Sequence, residues 1–584
     1  MSTAIRSTLL ALAPGQQGPG SDATPRASAL ERALTDQQTL TAVDRFSRSH
    51  DAHGIPANAK YYRDLLPASP PGPGQQYAFE VNLDVCTGCK ACVTGCHNLN
   101  GLDDGEIWRT VGLLHGGTPQ APAQQTVTTA CHHCLEPACM TGCPVKAYEK
   151  DPVTGIVKHL DDQCIGCQYC VFMCPYDAPK FSPSRGIVRK CDMCSDRLAH
   201  GEAPACVQSC PNEAIKISVV DRAEAIQAAE ANAFLPGAPG PADTLPTTVY
   251  KSERALPRNM LPADFYALGR EHAHPPLVVM LTLTQLSVGA FILNLIAHML
   301  MGAATPRILE VGNAICALGL GMVALGASTL HLGRPRYAFR AFLGLRTSWL
   351  SREIIVFSLF AALATAFAAS YFVPLPVPGL IGPLRQALGI GAAIAGALGV
   401  FCSVMVYAAT KRAHWRGSVT GLKFGLTSLV LGTATVLAIS LVWSTMLASG
   451  ESAAPPFVAS GAYRRLTAVL MAAAGLKLLA EASVFLHLRD RHHSVGKRLA
   501  LLMKGDLRSV AAARFLCGGL GGLVLPALGL APVSLLTTGN ASFPLPALTG
   551  VALGACLLSL AGELCERYLF FAAAPASKMP GGIG

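Results

Sequence analysis

Residues 164–176 read Cys164-Ile165-Gly166-Cys167-Gln168-Tyr169-Cys170-Val171-Phe172-Met173-Cys174-Pro175-Tyr176. Related groupings lie on both sides of this stretch. They are Cys86-x2-Cys89-x2-Cys92-x3-Cys96, Cys131-x2-Cys134-x4-Cys139-x3-Cys143 and Cys191-x2-Cys194-x11-Cys206-x3-Cys210, with proline after the last cysteine at Pro144 and Pro211. Sixteen of the 21 cysteines therefore fall between Cys86 and Cys210. The other five, Cys316, Cys402, Cys517, Cys556 and Cys565, are scattered through apolar stretches and read as small apolar side chains. A secreted disulfide scaffold is short and cysteine-dense throughout, so this distribution excludes one.

In the bacterial ferredoxin run, three closely spaced thiolates bind one cubane, and the fourth, three residues on and before proline, crosses to another. On that basis the sixteen thiolates imply four [4Fe-4S] clusters. Four zinc sites are the alternative, since zinc also accepts four thiolates. Zinc sites, however, usually join two distant C-x2-C pairs and need neither a third cysteine two residues on nor a Cys-Pro terminus.

Outward from the cysteines the composition changes. The chain has 584 residues, 51% hydrophobic and only 14% charged, which implies at least two dissimilar parts. Residues 1–77 are Pro/Gly/Ser/Gln-rich in places and read as a partly disordered extension with no visible export signal. Residues 78–217 form the cysteine domain, 218–274 a linker, 275–572 a membrane domain and 573–584 a tail. The membrane domain holds eight apolar segments, at 277–301, 309–330, 352–373, 386–409, 420–447, 466–488, 512–536 and 546–571. Each is near the 20 residues that cross ~30 Å of hydrocarbon. The expected fold is an α+β ferredoxin-like four-cluster domain followed by an all-α eight-helix transmembrane bundle.

The net charge of +10 comes without a basic run interleaved with aromatics, so membrane lipid and not nucleic acid is the expected partner. Loops after segments two, four and six carry Arg334, Arg336, Arg340, Arg346, Lys411, Arg412, Arg416, Arg489, Arg491, Lys497, Arg498, Lys504 and Arg508. The opposite loops carry Arg307, Arg385, Arg464 and Arg465. Positive-inside bias then places the cysteine domain and both termini on the cytoplasmic side of a bacterial-type inner membrane.

Charged residues inside the spans are costly and often functional. Lys477 and Glu481 share a helix face at four-residue spacing, as do Glu563 and Arg567, and each pair reads as an ion pair or a proton relay. His331, His487 and His298 form no paired pattern across the bundle, so no haem is expected. An ion-translocating protein with a regulatory iron-sulfur domain would suit the paired charges, but inverted repeats and broken helices are not visible. A stand-alone ferredoxin-quinone oxidoreductase is a further alternative.

With Arg189-Lys190-Cys191-Asp192-Met193-Cys194 and Pro204-Ala205-Cys206-Val207-Gln208-Ser209-Cys210-Pro211 beside the 164–176 stretch, residues 78–217 resemble the four-cluster iron-sulfur subunit of the dimethyl sulfoxide reductase family. The resemblance implies crossed ligation: Cys86, Cys89 and Cys92 with Cys210; Cys191, Cys194 and Cys206 with Cys96; Cys131, Cys134 and Cys139 with Cys174; and Cys164, Cys167 and Cys170 with Cys143. His97 stands where the first group departs from the Cys-Pro pattern.

In the membrane half, His331-Leu332-Gly333-Arg334-Pro335, Thr347-Ser348-Trp349-Leu350-Ser351-Arg352-Glu353 and the stretch from Glu563 to Phe570 resemble the anchor subunit of the same reductases. That resemblance implies eight spans, no haem and a quinone site at the ends of spans two and three, where His331 and Glu353 would meet a headgroup. An imidazole and a partly desolvated carboxylate suit proton-coupled quinone chemistry; capping by His331 and pairing of Glu353 with Arg352 or another loop arginine are the structural alternatives. Together the halves imply an electron conduit between the quinone pool and a separate molybdopterin catalytic subunit, with a lean toward cytoplasm-facing, sulfite-oxidising complexes. This chain itself carries no substrate-oxidising site in that reading.

Overall fold

The computed structural model describes residues 62–301, 307–372, 381–447, 456–536, 545–575 and 577–581, together with Ser28 and Glu31. Most of the expected 1–77 extension lies outside the described residues.

The cysteine domain is built on two small sheets. Strand β1 (Gln75–Asn82) pairs antiparallel with β8 (Ile215–Asp221), Ala78 opposite Ser218, and parallel with β9 (Val249–Lys251). In the second sheet the hairpin of β2 (Thr110–Gly117) and β3 (Pro122–Thr129) carries β10 (Leu261–Pro262) on its open edge. Two-stranded ribbons, β4 (Tyr148–Lys150) with β5 (Val157–His159) and β6 (Lys180–Ser182) with β7 (Ile187–Arg189), lie between cysteine-bearing turns. These ribbons and the short helices α1 (Ala138–Gly142) and α2 (Tyr169–Met173) leave most of the domain's backbone in turns, which is how a chain presents cysteines from many directions.

Two segments differ from the expected linker and tail. Residues 218–274 finish β8 and supply β9 and β10, and they bury Leu235 and Met260 in the same apolar cluster as Val81 and Leu114. The polar and Pro-rich composition of this stretch conceals strands of two and three residues, too short for an alternating pattern to register. The segment after the last helix returns to the cysteine domain. Met579 is buried in that cluster, Leu113 donates its N–H to the Gly581 carbonyl at 3.2 Å, and Lys578 pairs with Asp264 at 2.6 Å.

Among the described residues eight helices are long and apolar enough to cross a membrane. They begin with α3 (Pro275–Met301), α4 (Arg307–Thr329), α5 (Trp349–Ala369), α6 (Ile381–Ala408) and α7 (Gly417–Leu447). The sixth span is α8 (Ala462–Ala482), continued as 3-10 helix to Arg489. After the amphipathic α9 (Val495–Lys504), the seventh runs from α10 (Arg508–Gly519) through one π turn into α11 (Leu525–Leu536), and α12 (Leu545–Ala572) is the eighth. Helices α3 and α7 are the most enclosed and cross closely where Gly289 meets Gly432. A Cβ at Gly289 would overlap the Ser428 backbone and one at Gly432 the backbone of Gly289, the small-residue packing that lets membrane helices approach.

Candidate iron-sulfur centre and membrane interface

Fifteen of the sixteen thiols, all but Cys89, have neighbours that sort them into four groups interleaving the chain. Burial raises the Cys86 thiol's pKa, and Cys92 and Cys210 act on it as neighbours. Cys96 is raised by burial and then by Cys206 and Cys194; Cys191, from the same turn as Cys194, lies by Cys96 and Cys206. Cys134 and Cys139 are raised by burial among Cys131 and Cys174. Cys167 and Cys170 are raised by burial among Cys143 and Cys164. In each of the four pairings implied by the resemblance, the distant cysteine stands beside its partners. Cys89 is the one exposed thiol of the sixteen.

The groups follow one another in a row. Arg109, 2% exposed, lies among Cys92 of the first group and Cys96, Cys191 and Cys206 of the second. Lys190 is equally buried, and although burial opposes its charge, Cys131, Cys139 and Cys191 around it hold its pKa up, which places it between the second and third groups. Tyr148 lies by Cys139 of the third group and Cys143 and Cys170 of the fourth. Neither cation stands out in the sequence; a buried Arg and Lys between thiol groups offset the negative charge that thiolates bring.

The fourth group rests on the membrane bundle. His331, just past the end of α4, places Nε2 3.2 Å from the Cys167 carbonyl. Ser348 donates to the Gly142 carbonyl at 2.7 Å, and Gly344 donates its N–H to the Pro144 carbonyl at 2.7 Å. The basic loops reach the same surface: Arg334 donates to Asp161 O at 2.8 Å, Arg340 to Asp162 O at 2.7 Å and Arg412 to Phe172 O at 3.2 Å. The arginine-rich end of the bundle and the cysteine domain thus share one side.

His331 and Glu353 both border this junction, but no hydrogen bond joins them. His331 is edge-on to His274, ring centroids 5.1 Å apart, and burial lowers its pKa, so the neutral ring predominates near neutrality. Glu353, in the first turns of α5 and 3% exposed, accepts a close hydrogen bond from Ser403. Arg352 turns away to the Leu345 and Arg346 carbonyls, so it is not the partner of Glu353. Tyr169, next to the fourth group, donates to the Val406 carbonyl at 2.8 Å and lies close enough to Glu353 for that carboxylate to act on its phenol.

A family model for a 4Fe-4S dicluster domain matches residues 123–220, and one for the DMSO reductase anchor subunit matches residues 270–495. A subunit of the anaerobic dimethyl sulfoxide reductase of Escherichia coli (strain K12) is 38% identical over 154 residues, 25% of this chain and 75% of the relative. The chain belongs to the dimethyl sulfoxide reductase family of iron-sulfur electron-transfer subunits. The thiosulfate reductase electron transfer subunit of Salmonella typhi is 37% identical over 158 residues, 26% of this chain and 79% of that one. The formate dehydrogenase-O iron-sulfur subunit of E. coli is 32% identical over 158 residues, 24% and 52% of the two chains. Because cluster-type and anchor-type matches lie on one polypeptide, the chain is a fusion of the two: a membrane-anchored, multi-pass electron-transfer subunit carrying 4Fe-4S clusters.

Deeper in the bundle the charges form one network across four helices. Lys477 makes a close ion pair with Glu563 and lies 3.9 Å from Glu481 and from Glu566. Arg514 is 2.7 Å from Glu481 and 3.0 Å from Glu563. Arg567 is 3.5 Å from Glu566 and donates to Gln285 at 2.8 Å. Expected pairing within one helix is therefore largely replaced by pairing between helices. Sequence reasoning misses Arg514 and Glu566, although each interrupts an apolar span.

Proposed function

We propose that this chain connects the quinone pool to a separate molybdopterin-containing catalytic subunit through four [4Fe-4S] clusters. The observation that carries the reading is the row of thiol groups, which ends with the group of Cys143, Cys164, Cys167 and Cys170 seated on the loops around His331 and Glu353. Zinc sites usually join two distant C-x2-C pairs, whereas here Cys86, Cys89 and Cys92, and likewise Cys164, Cys167 and Cys170, come as three cysteines at two-residue gaps. The donor set instead suits clusters, whose irons are held by separate thiolates. Cys86, Cys89, Cys92 and Cys210 would hold one; Cys96, Cys191, Cys194 and Cys206 the next; Cys131, Cys134, Cys139 and Cys174 the third; and Cys143, Cys164, Cys167 and Cys170 the fourth. When bound, such clusters supply one-electron carriers whose potentials follow burial and hydrogen bonding to sulfur.

The chain's own residues do the rest. Ala147 N–H on Cys143 at 3.2 Å and Gly166 N–H on Cys164 at 3.4 Å donate to sulfur, and Lys190 and Arg109 offset charge between groups. At the membrane end, His331 offers a neutral imidazole and Glu353 a desolvated carboxylate to a quinone headgroup. The side shared by arginine-rich loops and the cysteine domain supports a cytoplasmic placement of that domain and of both termini. A sulfite-oxidising partner is one assignment consistent with that side.

Glu353→Gln and His331→Ala test the quinone assignment. Both should keep iron content and membrane insertion, lose electron exchange with a quinol analogue at least about tenfold, and retain reduction by dithionite. Unchanged quinol exchange in both variants would remove His331 and Glu353 from the quinone site.

A further inference from the structure

Glu566 stands apart from the rest of the buried charge network. It is 3% exposed, yet neither carboxylate oxygen accepts a hydrogen bond. Lys423, Arg567 and Lys477 stand off at 3.4, 3.5 and 3.9 Å. Buried polar atoms are nearly always hydrogen-bonded, and a polar contact beyond 3.5 Å, here that to Lys477, raises the question of an intervening water. Beside Glu566 is a cleft of about 50 Å³ whose other polar lining is His414, Lys423 and Glu481, with Trp415 and Phe570 stacked as an aromatic wall. His414 also buries Nε2 without a partner. This volume and these partners suit one or two waters, far short of the few hundred Å³ that a drug-sized ligand fills.

Inward from Glu566 the polar groups continue. Lys477 links it to Glu563, and Thr427 donates to the same Glu563 carboxylate at 2.8 Å. Arg567 lies over the ring of Phe424 at 4.1 Å, and the Tyr407 hydroxyl lies in the field of both Arg567 and Glu353. The groups facing Glu566 are thus Lys423 from α7, Lys477 and Glu481 from α8, Arg514 from α10, Glu563 and Arg567 from α12, and His414 from the loop before α7.

We propose that this cleft is a hydrated proton port, in which Glu566 passes protons between the cysteine-domain side of the bundle and the quinone site at Glu353. The inference rests on the quinone assignment of Glu353. Oxidising a quinol breaks two O–H bonds, sends two electrons toward the thiolate-held centres and releases two protons, which need a path to water; quinone reduction reverses each transfer. Glu566 takes a proton on one carboxylate oxygen from one side and gives it up on the other, ending each turnover in its starting state. Lys477 and Arg567 hold the carboxylates in place without losing their own protons.

The test uses the full chain with its clusters loaded, reduced by a water-soluble quinol analogue in H2O and in D2O. Glu566→Gln should slow reduction about tenfold or more with a larger solvent isotope effect, leave the quinol KM within about twofold, and leave dithionite reduction unchanged. Glu566→Asp, which keeps a carboxylate, should restore most of the rate. Leu499→Trp fills the cleft while leaving every charge in place and should slow reduction in the same way. If Glu566→Gln loses its iron, Leu499→Trp decides alone. Normal rates and isotope effects in Glu566→Gln and Leu499→Trp, with Glu353→Gln inactive, would overturn the port and leave the quinone site standing. Normal exchange in Glu353→Gln as well would overturn both.

Discussion

The Nε2 nitrogen of His331 lies 3.2 Å from the carbonyl oxygen of Cys167, which joins a loop of the membrane bundle to the backbone of the cysteine group packed on it. Two residues on, Gly333 crosses Gly166 and Gly186 so closely that a Cβ on any of the three would overlap the backbone of another. Gly166 and Gly186 also have φ near +69° and +66°, the left-handed region where glycine carries no steric cost. The junction between the two halves is therefore a backbone-on-backbone contact.

Gly333→Ala should separate the halves at this point. Overpacking of a tight contact costs ~1–3 kcal/mol. The expected outcome is a lower thermal midpoint together with slower quinol-driven cluster reduction, while dithionite still reduces the clusters. A variant with wild-type stability and quinol kinetics would show that the junction yields freely.

The cysteine groups are legible because thiolate spacing is a local property of the chain, and the eight spans because hydropathy over 20 residues is as well. Partners across helices are not local. Lys477 and Glu481 are neighbours on one helix at 3.9 Å, but the closer partner of Lys477 is Glu563 and that of Glu481 is Arg514. Glu563 and Arg567 show the same departure, since Glu563 pairs with Lys477 and Arg514 and Arg567 donates to Gln285, all on other helices. Arg109 and Lys190 stay hidden because nothing in a sequence distinguishes a cation buried between thiols from one on a surface. The strands at Val249–Lys251 and Leu261–Pro262 are too short to leave a period.

Lys477→Met should destabilise the bundle strongly, because it leaves Glu563 buried with Arg514 as its remaining cation. Breaking a buried pair from one side typically costs ~3–5 kcal/mol, whereas replacing both partners by apolar groups is often nearly neutral. The double variant Lys477→Met with Glu563→Leu should recover a large part of the loss in detergent melting experiments. No recovery would mean that the two side chains act independently.

Removing residues 577–584 should loosen the cysteine domain although the cut lies far from it in sequence. The truncation exposes the core around Met579, worth ~1.5–3 kcal/mol for one such side chain, and ends the Lys578–Asp264 pair and the Leu113–Gly581 hydrogen bond. Limited proteolysis should then cut the 249–265 region faster than in the full chain. Equal protection would show that the terminal segment adds nothing to this core.

Acidification should weaken the loop that carries His414. Burial, and then Arg412 and Lys423, lower its pKa from the usual 6.5 to about 3. The unfolded chain therefore takes up a proton below about 6.5 that the folded chain refuses until about 3, so stability present above 6.5 is lost progressively between those values. His414→Gln should flatten the decline in thermal midpoint between about pH 7 and 5. An unaltered slope would place the acid sensitivity elsewhere.

The central claim is that the four interleaved thiol groups hold four [4Fe-4S] clusters. Iron and acid-labile sulfide, measured on the anaerobically purified chain, test it most directly. The account predicts about sixteen of each per polypeptide, four per cluster. Zinc without labile sulfide, or about half that iron in fully folded protein, would contradict it.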